Sequence, residues 1–197
     1  EKRDFFLEGR GIFDFGRGGA TGGGSGGLSS AFNAASSTPF LFYSRRIGLN
    51  RGSVVPIEAG ARVTGKLGKF GVGLLNIQGD REAVSATPST NFTVLRVKRD
   101  ILKKSTIGGM FTSRSASNVT PGSNQAYGMD AAFGFFENLT VGGYYARTRT
   151  DGREGDDDSF QGRFDYFADR YGARVEYLDV GDDFNPEIGF VPRDNFR

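Results

Sequence analysis

Tyr127-Gly128-Met129-Asp130-Ala131-Ala132-Phe133-Gly134-Phe135 is the stretch that decides the fold. In an extended chain Tyr127, Met129, Ala131, Phe133 and Phe135 share one side, and Gly128, Asp130, Ala132 and Gly134 share the other. Successive side chains of a strand point to opposite faces, so this is the signature of a strand with one apolar and one polar face. Phe160, Phe164 and Tyr166 oppose Gln161, Arg163 and Asp165 in the same way, as Tyr171, Ala173, Val175 and Tyr177 oppose Gly172, Arg174 and Glu176. Ile57, Ala59, Ala61 and Val63 oppose Glu58, Arg62 and Thr64. Leu95 and Val97 alternate with Arg96 and Lys98. Between Phe70 and Leu74 the alternation starts well, but Leu75 and Ile77 break it.

The segments run to about 9–12 residues, longer than the usual 5–6 of soluble sheets and close to the roughly 9–11 of a tilted membrane strand. Tight links fall near Leu67-Gly68-Lys69, Asp100-Ile101-Leu102, Glu137-Asn138 and Asp169-Arg170, and longer polar ones near Asp80–Thr90, Ala116–Asn124 and Thr150–Asp158. Short and long links alternate, as in outer-membrane barrels with short periplasmic turns and long external loops. The expected fold is therefore all-β: an antiparallel up-and-down transmembrane β-barrel, of which this chain forms an incomplete portion.

On that scheme Phe40–Ile47 is an upward crossing that precedes Pro56–Lys66, and about nine strands follow from Phe40. Gly181–Arg197 then lies outside, and the odd count implies a barrel completed by strands beyond this chain. Residues 1–38 hold a glycine-rich tract, Gly16–Gly27, expected to be flexible and periplasmic or lumen-filling, whereas residues 39–197 supply strands and loops. Glu1-Lys2-Arg3 carries neither an initiator methionine nor a signal peptide, so the numbered chain is expected to begin inside a longer precursor.

Composition narrows the functions. The net charge is +2 with both signs interspersed, which gives no nucleic-acid footprint. The chain has no histidine and no cysteine, so neither Ser-His-Asp nor Cys-His catalysis is available within it, nor a zinc site built on those ligands. The glycine-rich tract lacks the lysine and the following helix of a phosphate loop. Paired carboxylates for glycoside hydrolysis are not singled out. No catalytic residue and no organic cofactor is expected.

Two groups remain. The acidic loop Asp151, Glu154, Asp156, Asp157 and Asp158 could hold Ca2+ through oxygen ligands and bridge to lipopolysaccharide, although its spacing is not that of an EF-hand. The ordinary reading is a solvated loop. Glu58, Arg62, Arg96, Lys98, Asp130, Arg163, Asp165, Arg174 and Glu176 would face the barrel interior, as a polar conduit, as a surface that seats a plug, or simply as self-compensating charge in a wet bore. Arg45-Arg46 could contact a phosphate, anchor such a plug, or equally be an ordinary interior pair. Arginine at Phe133 is expected to block assembly far more than arginine at Asp130.

Four motifs carry a resemblance. Phe5-Phe6-Leu7-Glu8-Gly9-Arg10 with Ile12-Phe13, Phe42-Tyr43-Ser44-Arg45-Arg46-Ile47-Gly48, Val94–Asp100 and Phe184-Asn185-Pro186-Glu187-Ile188-Gly189-Phe190-Val191 stand in this order along the chain. Together they resemble an uncharacterised bacterial family in which a family-9-like carbohydrate-binding module precedes a C-terminal outer-membrane barrel, often labelled a membrane-associated hydrolase. The resemblance implies outer-membrane lipid and lipopolysaccharide as surroundings and carbohydrate as a partner through an upstream module. It implies no catalytic residue in this stretch. The expected roles are transport, anchoring or surface display. The alternatives are a barrel anchor for a carbohydrate-handling surface protein, or a soluble β-sandwich or ligand-binding barrel.

Overall fold

The structure is a computed structural model and describes residues 10–16, 38–50, 53–82, 87–102, 104–168 and 170–192. Among these residues the only helical elements are two 3-10 turns, Arg10–Phe13 and Ser44–Arg46. Strands β1 (Leu49–Asn50) and β2 (Ser53–Val54) pair as a small ladder. The remaining strands are β3 (Ile57–Leu67), β4 (Phe70–Gly79), β5 (Thr90–Leu102), β6 (Ser105–Arg114), β7 (Asn124–Phe135), β8 (Leu139–Thr150), β9 (Asp158–Phe167) and β10 (Gly172–Val180). They form one antiparallel up-and-down sheet in which each strand pairs with its neighbours in sequence. The sheet is not closed: β3 and β10 are its edges. Short turns alternate with long loops, so all long loops gather at one end. Gly68 makes the β3–β4 turn with φ of 61°, a conformation that costs glycine little.

One face of the sheet is covered by chain and the other is bare. Residues 10–16, 38–47 and 184–190 lie on the covered face, where Phe13, Phe15, Leu41, Ile47, Phe184 and Ile188 join Leu75, Ile77, Phe92, Val94 and Met110 in one core. Bare-face residues include Val63, Leu74, Leu95, Tyr127, Met129, Tyr145, Phe160, Phe164, Tyr166, Val175 and Tyr177, all exposed. Met129, in mid-strand, is 73% exposed.

The register explains the noisy segments. Near the long loops, polarity across β4 and β5 inverts: Leu75, Ile77, Phe92 and Val94 point to the covered face. Asn76, Gln78, Asn91 and Thr93 take the bare face there and bond to one another, as in Asn76 Nδ2 to Thr93 Oγ1 at 2.8 Å and Asn91 Nδ2 to Gln78 Oε1 at 3.1 Å. The covered face is dry at that end because the covering segments sit on it. Period two therefore persists through the strand, with its sense reversed.

Three expectations are corrected. Phe40–Ile47 is not a strand of the sheet, which has eight strands and not about nine. It touches Phe190 through an isolated bridge and turns at Ser44–Arg46, with Leu41 and Ile47 buried in the core of the covered face. The tight β5–β6 link falls after Leu102, since a register shift between Asp100 and Leu102 lets β5 run on. A similar shift between Ile57 and Ala59 opposes Ile57 to Gly79 and Ala59 to Gln78, which turns Ile57 onto the covered face and away from its three partners in the sequence pattern.

Candidate functional site

The covered face is the candidate site, and its centre is built on glycines. An added Cβ at Gly71 would lie 3.1 Å from Ile12 Cδ1, at Gly73 3.0 Å from the Phe13 ring, and at Gly128 2.6 Å from Phe15 Cζ. The strands thus omit side chains where residues 12–15 dock. Phe15 packs against Tyr144 at 5.5 Å between ring centroids, and the Arg96 guanidinium lies 5.4 Å from the Phe15 centroid. Arg96 makes a two-pronged pair with Asp130, Nη1 to Oδ1 at 2.6 Å and Nη2 to Oδ2 at 2.8 Å. The Gly16 amide donates to Asp130 Oδ2 at 3.3 Å. The Arg96 side chain is fully buried and that of Asp130 is 14% exposed. A charge so enclosed persists only with a partner of matched geometry.

A second buried pair lies toward the long loops. Arg114 and Glu187 approach to 3.5 Å, and both side chains are buried. Glu187 also accepts from Ser117 Oγ at 2.5 Å and from the Asn118 amide at 2.9 Å. Asn124 Nδ2 donates to the Asn185 carbonyl at 2.9 Å, and the Glu187 amide donates to Asn124 Oδ1 at 3.1 Å. Phe40 and Phe190 exchange both backbone bonds, and Arg46 Nε donates to the Gly189 carbonyl at 3.1 Å. Phe184–Phe190 therefore folds back over the covered face instead of trailing away from the long-loop end. Replacing Glu187 by Gln is expected to weaken this closure by about 1.5–3 kcal/mol, the range for hydrogen bonds to a charged group. Faster hydrogen exchange at residues 184–190, with the strands unchanged, is the measurement that checks it.

Toward the short turns the face is wetter. Asp165 lies between Arg163, 2.8 Å away, and Arg174, 2.6 Å away. Gln161 donates to Glu176 at 2.5 Å and shares hydrogen bonds with Thr38. The register puts Arg62 and Lys98 on this face as well. Of the nine candidate interior residues, Arg62, Arg96, Lys98, Asp130, Arg163, Asp165, Arg174 and Glu176 share the covered face. Glu58 is the extra residue of the β3 bulge and is exposed.

The acidic loop is not drawn together. Asp157 pairs with Arg147 at 2.7 Å, Asp158 accepts from Tyr145 at 3.1 Å, and Arg153 of the same loop pairs with Asp183. Asp151 accepts from the Ser123 amide and hydroxyl, and these bonds hold its carboxyl below the usual carboxylate range. This loop tie survives mild acid and is lost as pH falls through the lowered value. Glu154 and Asp156 are exposed. Among the described residues no group of three acids, histidines or cysteines could hold a metal ion.

The sequence analysis did not single out Arg114, Asn124 and Glu187 as a polar cluster. The signal was the fourth motif, Phe184–Val191. All four motifs contribute to the covered face: Ile12-Phe13, Phe42–Gly48, Val94 with Arg96, and Phe184–Ile188. Residues 1–9 and the tract from 17 to 37 lie outside the described residues.

The class defined by fold and site is an all-β chain: one open up-and-down sheet, apolar over the middle of its bare face and polar there toward the long loops, with its own segments tied to the other face by buried ion pairs. No protein-family model matches the chain, and no curated protein or solved structure matches it.

Proposed function

We propose that the eight strands are part of the wall of a bacterial outer-membrane β-barrel, with the bare face in lipid and the covered face toward the bore. The observation that carries this is the bare face itself. In water it would be an unusually large exposed apolar surface. In lipid it is the required one. Phe111, Tyr127, Tyr145, Phe160 and Tyr177 stand toward the long loops, and Phe70, Phe135, Tyr166 and Tyr171 toward the short turns, in the manner of aromatic girdles. The strands of the sheet run from 9 to 13 residues, against the roughly 9–11 that cross a bilayer when tilted. The four-motif resemblance to a family with a C-terminal outer-membrane barrel supports the same reading.

Among the described residues no strand pairs with the outer edge of β3 or of β10, and lipid cannot satisfy edge backbone groups, so this reading requires further strands to close the wall. Along these eight strands the long-loop half of the bore is filled: Val94, Arg96, Ala126 and Ala146 have no exposed surface. A plugged barrel that anchors or displays other parts of the protein fits this filling better than an open pore. The test is extraction and folding of the full protein. The proposal expects it in the outer-membrane fraction, resistant to carbonate, soluble only with detergent, and shifted in electrophoretic mobility by boiling. A monodisperse folded protein in detergent-free buffer would overturn it in favour of a soluble β-sandwich.

A further inference from the structure

The bare face is not smooth. A shallow, mostly apolar groove of about 610 Å3 crosses it from β4 to β9. Gly109, Ala131 and Gly143 form its floor, with Met129 on one wall and Phe133 and Val141 on the other. Arg99 also lines it, at the short-turn side.

Resting on the barrel reading, we propose that this groove holds an acyl chain of an anionic phospholipid whose phosphate sits on Arg99. Gly143 is required by packing, because a Cβ there would run into the Gln161 carbonyl oxygen. Gly109 is different: the nearest atom to an added Cβ is the Gly128 carbonyl oxygen at 3.7 Å, an ordinary contact. A glycine inside a strand loses packing and entropy, and the sheet does not require this one. What its missing side chain does is leave the groove open.

Arg99 is exposed, its guanidinium lies 5.0 Å from the Phe70 ring centroid, and among the described residues no carboxylate pairs with it. Its neighbour Asp100 points to the covered face and is tied to Lys66 at 3.5 Å. Lys69 and Lys104 are exposed at the same end, against Glu137 on the β7–β8 turn. A planar guanidinium at the end of an apolar channel fits a phosphate joined to a hydrocarbon chain. Short turns face the periplasm in such barrels, which puts Arg99 at the phospholipid leaflet and away from lipopolysaccharide.

The test is native mass spectrometry of the full, detergent-folded protein with dipalmitoyl phosphatidylglycerol and, separately, dipalmitoyl phosphatidylcholine. Wild type is expected to retain phosphatidylglycerol about five-fold better, the effect of roughly one basic residue at a charged lipid surface. Arg99→Ala should remove the preference while leaving weak retention of both lipids. Gly109→Leu should reduce retention of both. No preference in the wild type, or an unchanged preference in Arg99→Ala, overturns the proposal. These results presuppose a detergent-dependent, heat-modifiable protein. If the chain folds without detergent, it is the barrel reading that has failed.

Discussion

An Asp130→Ala variant is expected to lose about 3–5 kcal/mol of folding stability, the range for removing one partner of a buried ion pair. The loss comes chiefly from what stays behind. Arg96 is fully enclosed between Phe15, Asp130 and the β-sheet, and without the carboxylate its charge has no compensation. The Gly16 amide loses its acceptor in the same step, so residues 10–16 should loosen first. Denaturant titration in detergent micelles checks the magnitude, and hydrogen exchange at residues 10–16 checks the order of events. Arg96→Met combined with Asp130→Ala should recover most of the loss, because the double change removes both charges from the interior. A single variant within about 1 kcal/mol of wild type would mean that water reaches Arg96, in conflict with the packing on the covered face.

The second large effect separates the two faces. Met129→Arg places a cation on the bare face in mid-strand and is expected to cost roughly 2–4 kcal/mol in a bilayer. Thr106→Arg, at a half-buried position on the covered face near the short turns, should cost about 1 kcal/mol or less, because it meets no lipid. Equal losses would remove the distinction between the faces. Asp130 is a poor control for this comparison: its grip on Arg96 makes arginine there damaging for a reason unrelated to lipid. The contrast between Phe133 and Asp130 expected from the sequence is therefore replaced by one between Met129 and Thr106.

Much of the sheet was legible in the sequence because facing and length are local properties. Tyr127–Phe135 alternates cleanly, since its whole bare-face side is apolar and its covered side is glycine, alanine and one aspartate. The alternation of short and long links gave the up-and-down order for the same reason. What could not be read was where the covering segments lie. Leu75 and Ile77 look like errors until Phe13, Leu41 and Ile47 are seen on the same face, and those contacts join residues far apart in the chain. Phe40–Ile47 has the composition of a strand, and only its pairing with Ile188 and Phe190 shows that it runs inside the sheet's curve of contacts and not within the sheet. The Arg96–Asp130 pair spans 34 positions and the Arg114–Glu187 pair 73, so facing could be assigned while partnership could not. A bulge at Ile57 is equally invisible, because one extra residue leaves composition unchanged.

The chain has no cysteine, so single nitroxide labels can be placed without background. Labels at Met129→Cys and Thr106→Cys in the bilayer-reconstituted protein test most directly which side meets lipid. The Met129 label is expected to collide freely with dissolved oxygen and to be shielded from a water-soluble nickel chelate, with the reverse at Thr106. Free access of the chelate to the Met129 label, with the protein folded, would contradict it.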